Sequence, residues 1–336
     1  MLLVVWTYDE TGESMKRVLV LCCYLAAAGF TIGVVHSQPY PTRPIRLVVP
    51  YPPGGGTDII ARIVGQKLTE NLSQHIIVDN RGGAGGTIGT DIVAKSVPDG
   101  YTILMAPTSH AINPSIYRRL PYDTLKDFTP VTLAASATIV LAVHPSLPAK
   151  SVKDLITLAK SRPGQLNFGS AGNGTVFHLA AELFKRQAAV DMVHVPFKGG
   201  GPVIANLVGG QVSLAFETML ALSPHIKAER VRSLAVTSAQ RSSVMPELPT
   251  VAELGFRDIV AENWYGFYAP AGTPRNIVTR LNAEIVKILR MQEIKERFLG
   301  QGTEVVGGTP EALADYLQKE MRKWSKIAKE AGAQVD

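Results

Sequence analysis

Three glycine-rich turns carry the residue types best suited to chemistry in this chain. They are Pro52-Pro53-Gly54-Gly55-Gly56-Thr57-Asp58, Ser170-Ala171-Gly172-Asn173-Gly174-Thr175 and Lys198-Gly199-Gly200-Gly201-Pro202. Each stands between a short β-branched run and a segment of helical period. There the first N–H groups of a helix lack acceptors and the helix dipole presents its positive end, so a carboxylate or phosphate is favoured. Pro202 suits the first helical position of the segment it opens, and Gly172 permits a positive φ and a close backbone approach. Taken singly, each turn fits a bare strand-to-helix connection equally well. Three together favour a ligand, because open α/β folds bind at the carboxyl ends of their strands.

Other glycine chemistry fails letter by letter. Gly82-Gly83-Ala84-Gly85-Gly86 has Ile88 where the dinucleotide fingerprint needs its last glycine, and no Gly-Lys-Ser/Thr follows any glycine cluster. Phe168 breaks the Gly-x-Ser-x-Gly elbow around Ser170. His75, His110, His144, His178, His194 and His225 include no His-x-x-x-His pair, and the usual zinc arrangements are missing. Neither a cofactor nor a metal is expected.

The elements that must position the turns read as alternating strands and helices, the signature of α/β layering around a largely parallel sheet. Residues 46–50, 76–80, 101–106, 131–133, 166–169, 194–197 and 212–216 read as strands, and 151–161, 174–187, 274–299 and 310–331 as helices. Ile277, Leu281, Ile285 and Ile288 share one face, and Leu313, Tyr316, Leu317, Met321, Trp324 and Ile327 form another stripe, both read as core packing. Two places suggest that the chain changes domain, His144-Pro145-Ser146-Leu147-Pro148 and Glu262-Asn263-Trp264-Tyr265-Gly266. The expected division is 38–144 with 263–336 in one lobe and 145–262 in the other, joined by two crossings that permit hinge closure.

Lys16-Arg17, an apolar run over 18–35 and the small-residue site Val35-His36-Ser37 give the layout of a cleavable secretory signal over residues 1–37. Asp9, Glu10 and Glu13 are foreign to such a leader, which makes Met15 the expected start and Gln38 the expected mature N-terminus. Cys22 and Cys23 both lie in the apolar run, so the mature chain is expected to hold no disulfide. Cleavage removes two basic and three acidic residues, taking the net charge from +6 to +7. That mild excess suits anionic partners, but nothing clusters Lys and Arg enough to follow a phosphate backbone, which argues against nucleic acid. The chain's length favours two domains over one.

On these residues the sequence resembles the Bug receptors, the TctC-like substrate-binding proteins of tripartite tricarboxylate transporters. The resemblance spans nearly the whole mature chain. It is carried by Tyr40-Pro41-Thr42-Arg43-Pro44-Ile45-Arg46-Leu47-Val48-Val49-Pro50, Gly55-Gly56-Thr57-Asp58, Val78-Asp79-Asn80-Arg81-Gly82-Gly83-Ala84-Gly85-Gly86, Pro98-Asp99-Gly100-Tyr101 and His110-Ala111-Ile112-Asn113-Pro114. It continues through residues 170–175, His194-Val195-Pro196-Phe197-Lys198-Gly199, Leu248-Pro249-Thr250-Val251-Ala252-Glu253 and Ala269-Pro270-Ala271-Gly272-Thr273-Pro274.

The resemblance implies a type II periplasmic-binding-protein fold, two α/β lobes joined by a hinge, with a small organic carboxylate in the cleft between them. Backbone amides, hydroxyls and ordered water hold the carboxylate in that family, with no arginine clamp required. The implied ligand-binding positions are Gly55, Gly56, Thr57 and Asp58; Thr108, Ser109 and His110; Ser170, Ala171, Gly172, Asn173, Gly174 and Thr175; Phe197, Lys198 and Gly199; and Glu217. Thr57 also reads as a helix cap, His110 as a packing residue and Lys198 as solvated. Two positions depart from the family pattern. Pro52-Pro53 replaces small residues, and Glu217 stands where Asp or a small polar residue is usual; if ionised, it would accept from a ligand amine or hydroxyl and repel a second carboxylate. Implied ligands are dicarboxylates, tricarboxylates, acidic amino acids and aromatic acids, with nicotinate-like compounds also in the family's range. The expected protein is a non-catalytic periplasmic monomer that delivers its ligand to membrane permease subunits. The rival readings are a ligand sensor feeding a sensor kinase and an enzyme on the same fold. A neighbouring gene pair for two membrane subunits, a neighbouring kinase, or ligand turnover would tell them apart.

Overall fold

The computed structural model describes residues 40–257 and 259–335. The expected secretory signal lies outside the described residues. Residues 41–336 form one compact unit, which carries everything below.

It opens with β1 (Ile45–Val49), α1 (Gly56–Leu72), β2 (Ile76–Asn80), a 3-10 turn (Ala84–Gly86), α2 (Thr87–Ala94), β3 (Thr102–Pro107) and α3 (Ser109–Ile116). β1 pairs in parallel with both β2 and β3. Its run Ile45-Arg46-Leu47-Val48-Val49 is buried except for Arg46, as expected for a strand covered on both faces. Next comes β4 (Phe128–Val143), then α4 (Val152–Ser161), β5 (Asn167–Ser170), α5 (Val176–Ala188), β6 (Val193–Pro196), α6 (Gly200–Val208), β7 (Leu214–Thr218), α7 (Met219–Lys227) and β8 (Arg232–Val236). In this block β5 pairs in parallel with β6 and β7. The chain closes with β9 (Glu262–Pro270), α8 (Arg275–Leu289), α9 (Gln292–Leu299), β10 (Thr303–Val305) and α10 (Pro310–Ala331).

The sheet is less parallel than the sequence suggests, and its antiparallel part joins the two parallel parts. β4 is far longer than the expected strand at 131–133. Residues 128–138 run antiparallel to β9, whereas residues 139–143 run antiparallel to β7 and β8. One strand therefore serves both parts of the sheet. The chain returns through Thr237, whose N–H donates to Ile139 O and whose Oγ1 donates to Ala261 O at 2.6 Å, just before β9 begins. The expected helix over 274–299 is two helices, α8 and α9, interrupted at Arg290 and Met291.

α10 shows why its span was legible. Thr309 accepts from Ala312 N–H as the cap, Pro310 opens the helix, and Gly332 ends it in the left-handed conformation. Its buried stripe of Leu313, Leu317, Glu320, Trp324 and Ala328 faces the core. Glu320 Oε2 there accepts from Trp324 Nε1 at 2.7 Å and from Trp264 Nε1 of β9 at 3.0 Å. No helix among the described residues is long and apolar enough to cross a membrane.

Candidate ligand-binding site

A narrow cleft lies where the amino ends of four helices meet. α1 brings Gly55, Gly56 and Thr57; α3 brings Ser109; α5 brings Thr175, Val176 and Phe177; α6 brings Gly200. Tyr51, Pro107, Ala171, Glu217 and Asn263 complete the wall. β1, β3, β5, β6 and β7 all end here, and each end is where the backbone turns into a helix.

The three glycine turns behave differently. The α1 turn has no side-chain cap, and its first helical bond is Ile59 N–H to Gly55 O. The N–H groups of Gly56, Thr57 and Asp58 therefore precede the helical ladder, with two of these residues lining the cleft. α6 likewise has no side-chain cap, and it starts at Gly200, so Pro202 stands two residues into the helix rather than at its first position. The turn before α5 satisfies itself. Thr175 Oγ1 donates to Gly172 O at 2.8 Å and accepts from His178 N–H, and Gly172 N–H points to Ser170 Oγ at 3.3 Å. Gly172 has φ +129°, so its glycine is needed to shape the turn.

The first and third turns abut. A Cβ added at Gly54 or Gly55 would lie 3.5 Å from the Cα of Gly201 or Gly200, and one at Gly201 would overlap Pro53 O. Pro52, the departure noted in the sequence, fills space between Gly82 and Gly199: a Cβ at either would come within 2.7 Å of its ring. The glycines here are thus required for the close approach of the two turns.

Of the expected site residues, Gly55, Gly56, Thr57, Ser109, Ala171, Thr175 and Glu217 share the cleft. Gly172, Asn173, Phe197 and Lys198 line an adjoining outer groove that also touches Ala171. Asp58, Thr108, His110, Ser170, Gly174 and Gly199 line neither. Asp58 clamps the first turn, accepting from Gly54 N–H, Asn80 Nδ2 and Arg62. Thr108 Oγ1 accepts from Trp264 N–H at 2.9 Å, stitching β3 to β9. The His110 ring packs among Phe128, Tyr268 and Tyr122, with neither nitrogen hydrogen-bonded, and burial drives its pKa down to about 3. Ser170 Oγ lies 2.6 Å from His194 Nε2, Gly174 N–H donates to His178 Nδ1, and Gly199 backs onto Pro52. Burial, aided by the nearby His178 and Lys185, likewise lowers His194 to about 3.

Sequence reasoning passed over Tyr51, Pro107, Val176, Phe177, Asn263 and Tyr265. Pro107 ends β3 and Tyr51 stands two residues beyond β1, which is a usable signal. Tyr51 Oη lies 2.8 Å from both Ser109 Oγ and Gly85 O. Asn263 and Tyr265 reach the site on the second crossing strand, and their register is not visible in the sequence. Tyr265 Oη is buried without a hydrogen-bond partner, beside Gly56.

Glu217, 1% exposed, is the wall's one carboxyl group, and no Lys, Arg or His lines the cleft. Its Oε1 accepts from Thr218 N–H at 2.8 Å and Thr218 Oγ1 at 3.2 Å, while Oε2 has no partner. Burial raises the carboxyl to about 7 against the lowering effect of those two bonds. The arrangement is one of helix amino ends and hydroxyls around a single buried carboxyl group.

Residues 60–333 match the family model described as the tripartite tricarboxylate transporter family receptor. The chain belongs to this family. Its members are periplasmic solute-binding proteins that work with membrane transporter components. The receptor is 38% identical to protein BugT of Bordetella pertussis over 325 residues, covering 96% of this chain and 99% of that one. A Rhodopseudomonas palustris protein solved with adipate is 38% identical, with a TM-score of 0.85 over 88% of this chain and all of that one. MatC of the same organism, solved with bound malate, is 32% identical, with a TM-score of 0.82 over 86% of this chain and 99% of that one.

Proposed function

We propose that this receptor captures a small organic carboxylate in the cleft below Tyr51 and hands it to the membrane subunits of a tripartite transporter, without chemical change to the ligand. The observation that carries the reading is the convergence of four helix amino ends, three of them without a side-chain cap, on a cleft with no basic side chain. Each amino end contributes about half a positive charge, enough to hold a carboxylate without an arginine. The adipate and malate held by the two neighbours support the same ligand class, with a dicarboxylate favoured.

The lobes in this reading are 38–144 with 263–336 against 145–262, and β4 and the segment ahead of β9 form the hinge. The N–H groups of Gly56 and Thr57 would meet one carboxylate, and Ser109 would supply a hydroxyl. Secretion and cleavage before Gln38 belong to the same proposal, supported by the basic, apolar and small-residue layout of residues 16–37. Action as a monomer does too.

Gentle purification followed by denaturing mass spectrometry tests the reading, since an enclosed ligand often survives purification. The expected result is one small organic acid released per chain and recovered unchanged. A sugar or an amine in its place would count against the carboxylate assignment.

A further inference from the structure

We propose that Glu217 carries a proton when the cleft holds its ligand and donates it from Oε2 to a ligand oxygen, so that the receptor captures an organic anion together with one proton. The inference rests on the carboxylate reading above and deepens it. Its first support is geometric: Oε2 is fully buried, lies in the cleft wall and has no hydrogen-bond partner, while Oε1 is already held by Thr218. An unsatisfied buried oxygen is costly, and a ligand in the cleft is what can satisfy it.

The second support is the charge balance. The titratable groups facing Glu217 are Tyr51, at the end of β1, and Tyr265, on β9, and burial keeps both phenols neutral by raising them well above their usual range. β4 presents Val140 opposite Glu217, and α6 presents Gly200, where an added Cβ would lie 2.7 Å from Oε2. No cation in the wall is available to separate an ionised Glu217 from a ligand carboxylate. Two anions in one buried cleft raise the pKa of the weaker acid, which here is Glu217, already displaced upward by burial. A protonated Oε2 then becomes a short, strong donor to a carboxylate or carbonyl oxygen.

The sign of the pH effect follows. Binding takes up a proton wherever free Glu217 is ionised, so affinity is full below about pH 7 and falls as pH rises, by about tenfold per pH unit at the limit. Calorimetry with adipate and with malate, from pH 6 to 9 in two buffers of different ionisation enthalpy, reads this directly. The wild-type receptor is expected to take up close to one proton per ligand above pH 7, and E217Q, which keeps a donor at this position, to bind with no uptake and a flat profile. Affinity that is flat across the range in the wild type, with heats independent of buffer, overturns the proposal even if E217Q fails to fold. Binding of aspartate that strengthens as pH rises overturns it in favour of an ionised Glu217 facing an ammonium. Failure of every carboxylate at every pH contradicts the receptor reading as well, which separates the two failures.

Discussion

Gly56→Val is expected to lower affinity for a dicarboxylate at least about a hundredfold, a loss of about 2.7 kcal/mol, while the protein still folds. Gly56 is the first residue of α1 and a wall of the cleft. A Cβ there would overlap Tyr265 Oη and come within 3.1 Å of Thr218 Oγ1, both on buried residues behind the cleft wall. Closure around a ligand is thereby blocked, and the overpacking costs about 1–3 kcal/mol of stability in addition. Gly255→Ala is the matched control: Gly255 has φ +99° but nothing within 4 Å of an added Cβ. Its expected effect is a stability loss near about 1 kcal/mol with binding unchanged. Calorimetric titration of both variants, after circular dichroism shows that they fold, checks the pair. Equal loss of affinity in both would place the effect of Gly56 in general strain rather than in the cleft.

The second large effect is expected on stability. Glu320 Oε2 is the shared acceptor of two indoles, Trp264 on the crossing strand β9 and Trp324 on α10. Glu320→Ala strands both N–H groups in the core, at about 1–3 kcal/mol each, so the expected loss is about 2–6 kcal/mol. That is a large fraction of the about 5–15 kcal/mol that keeps a domain folded. Glu320→Gln retains a carbonyl acceptor and is expected to cost about 1 kcal/mol. Urea unfolding followed by tryptophan fluorescence reads the difference. Equal midpoints for the alanine variant and the parent would show that the two indoles are satisfied in some other way.

How far the sequence could be read follows from which signals are local. β2 was legible because Ile76-Ile77-Val78-Asp79-Asn80 is a compact β-branched run, and α10 because its cap, first proline and terminal glycine mark its ends. β4 was not, because its second half, Ala134-Ala135-Ser136-Ala137-Thr138-Ile139-Val140-Leu141-Ala142-Val143, has neither clear alternation nor turn signals; its strand character comes from four partner strands distant in the chain. The sheet is mixed for the same reason, since antiparallel pairing of β4 with β9 joins residues more than a hundred positions apart.

The site divides along the same line. Gly55, Gly56 and Thr57 stand out in the sequence because a glycine turn ahead of a helix is a local device. Tyr265 and Asn263 do not, because they reach the cleft only through the register of β9 against β3 and β4. The protonation state of Glu217 is likewise a tertiary property. The sequence shows a carboxyl group at a strand end; only its burial and the absence of a cation from the wall favour the acid over the carboxylate.

The central claim is that this cleft takes a small organic carboxylate, and a thermal-shift panel tests it most directly. A ligand that binds only the folded state adds about 2.7 kcal/mol at a hundred times its Kd, a readily measured rise in Tm. The panel sets dicarboxylates, tricarboxylates, aromatic acids and acidic amino acids against sugars and cationic amines, at pH 6.5, below the value of about 7 to which burial raises Glu217. The account predicts that at least one carboxylate raises Tm and that no sugar or amine does. A sugar that raises Tm while every carboxylate leaves it unchanged would contradict it.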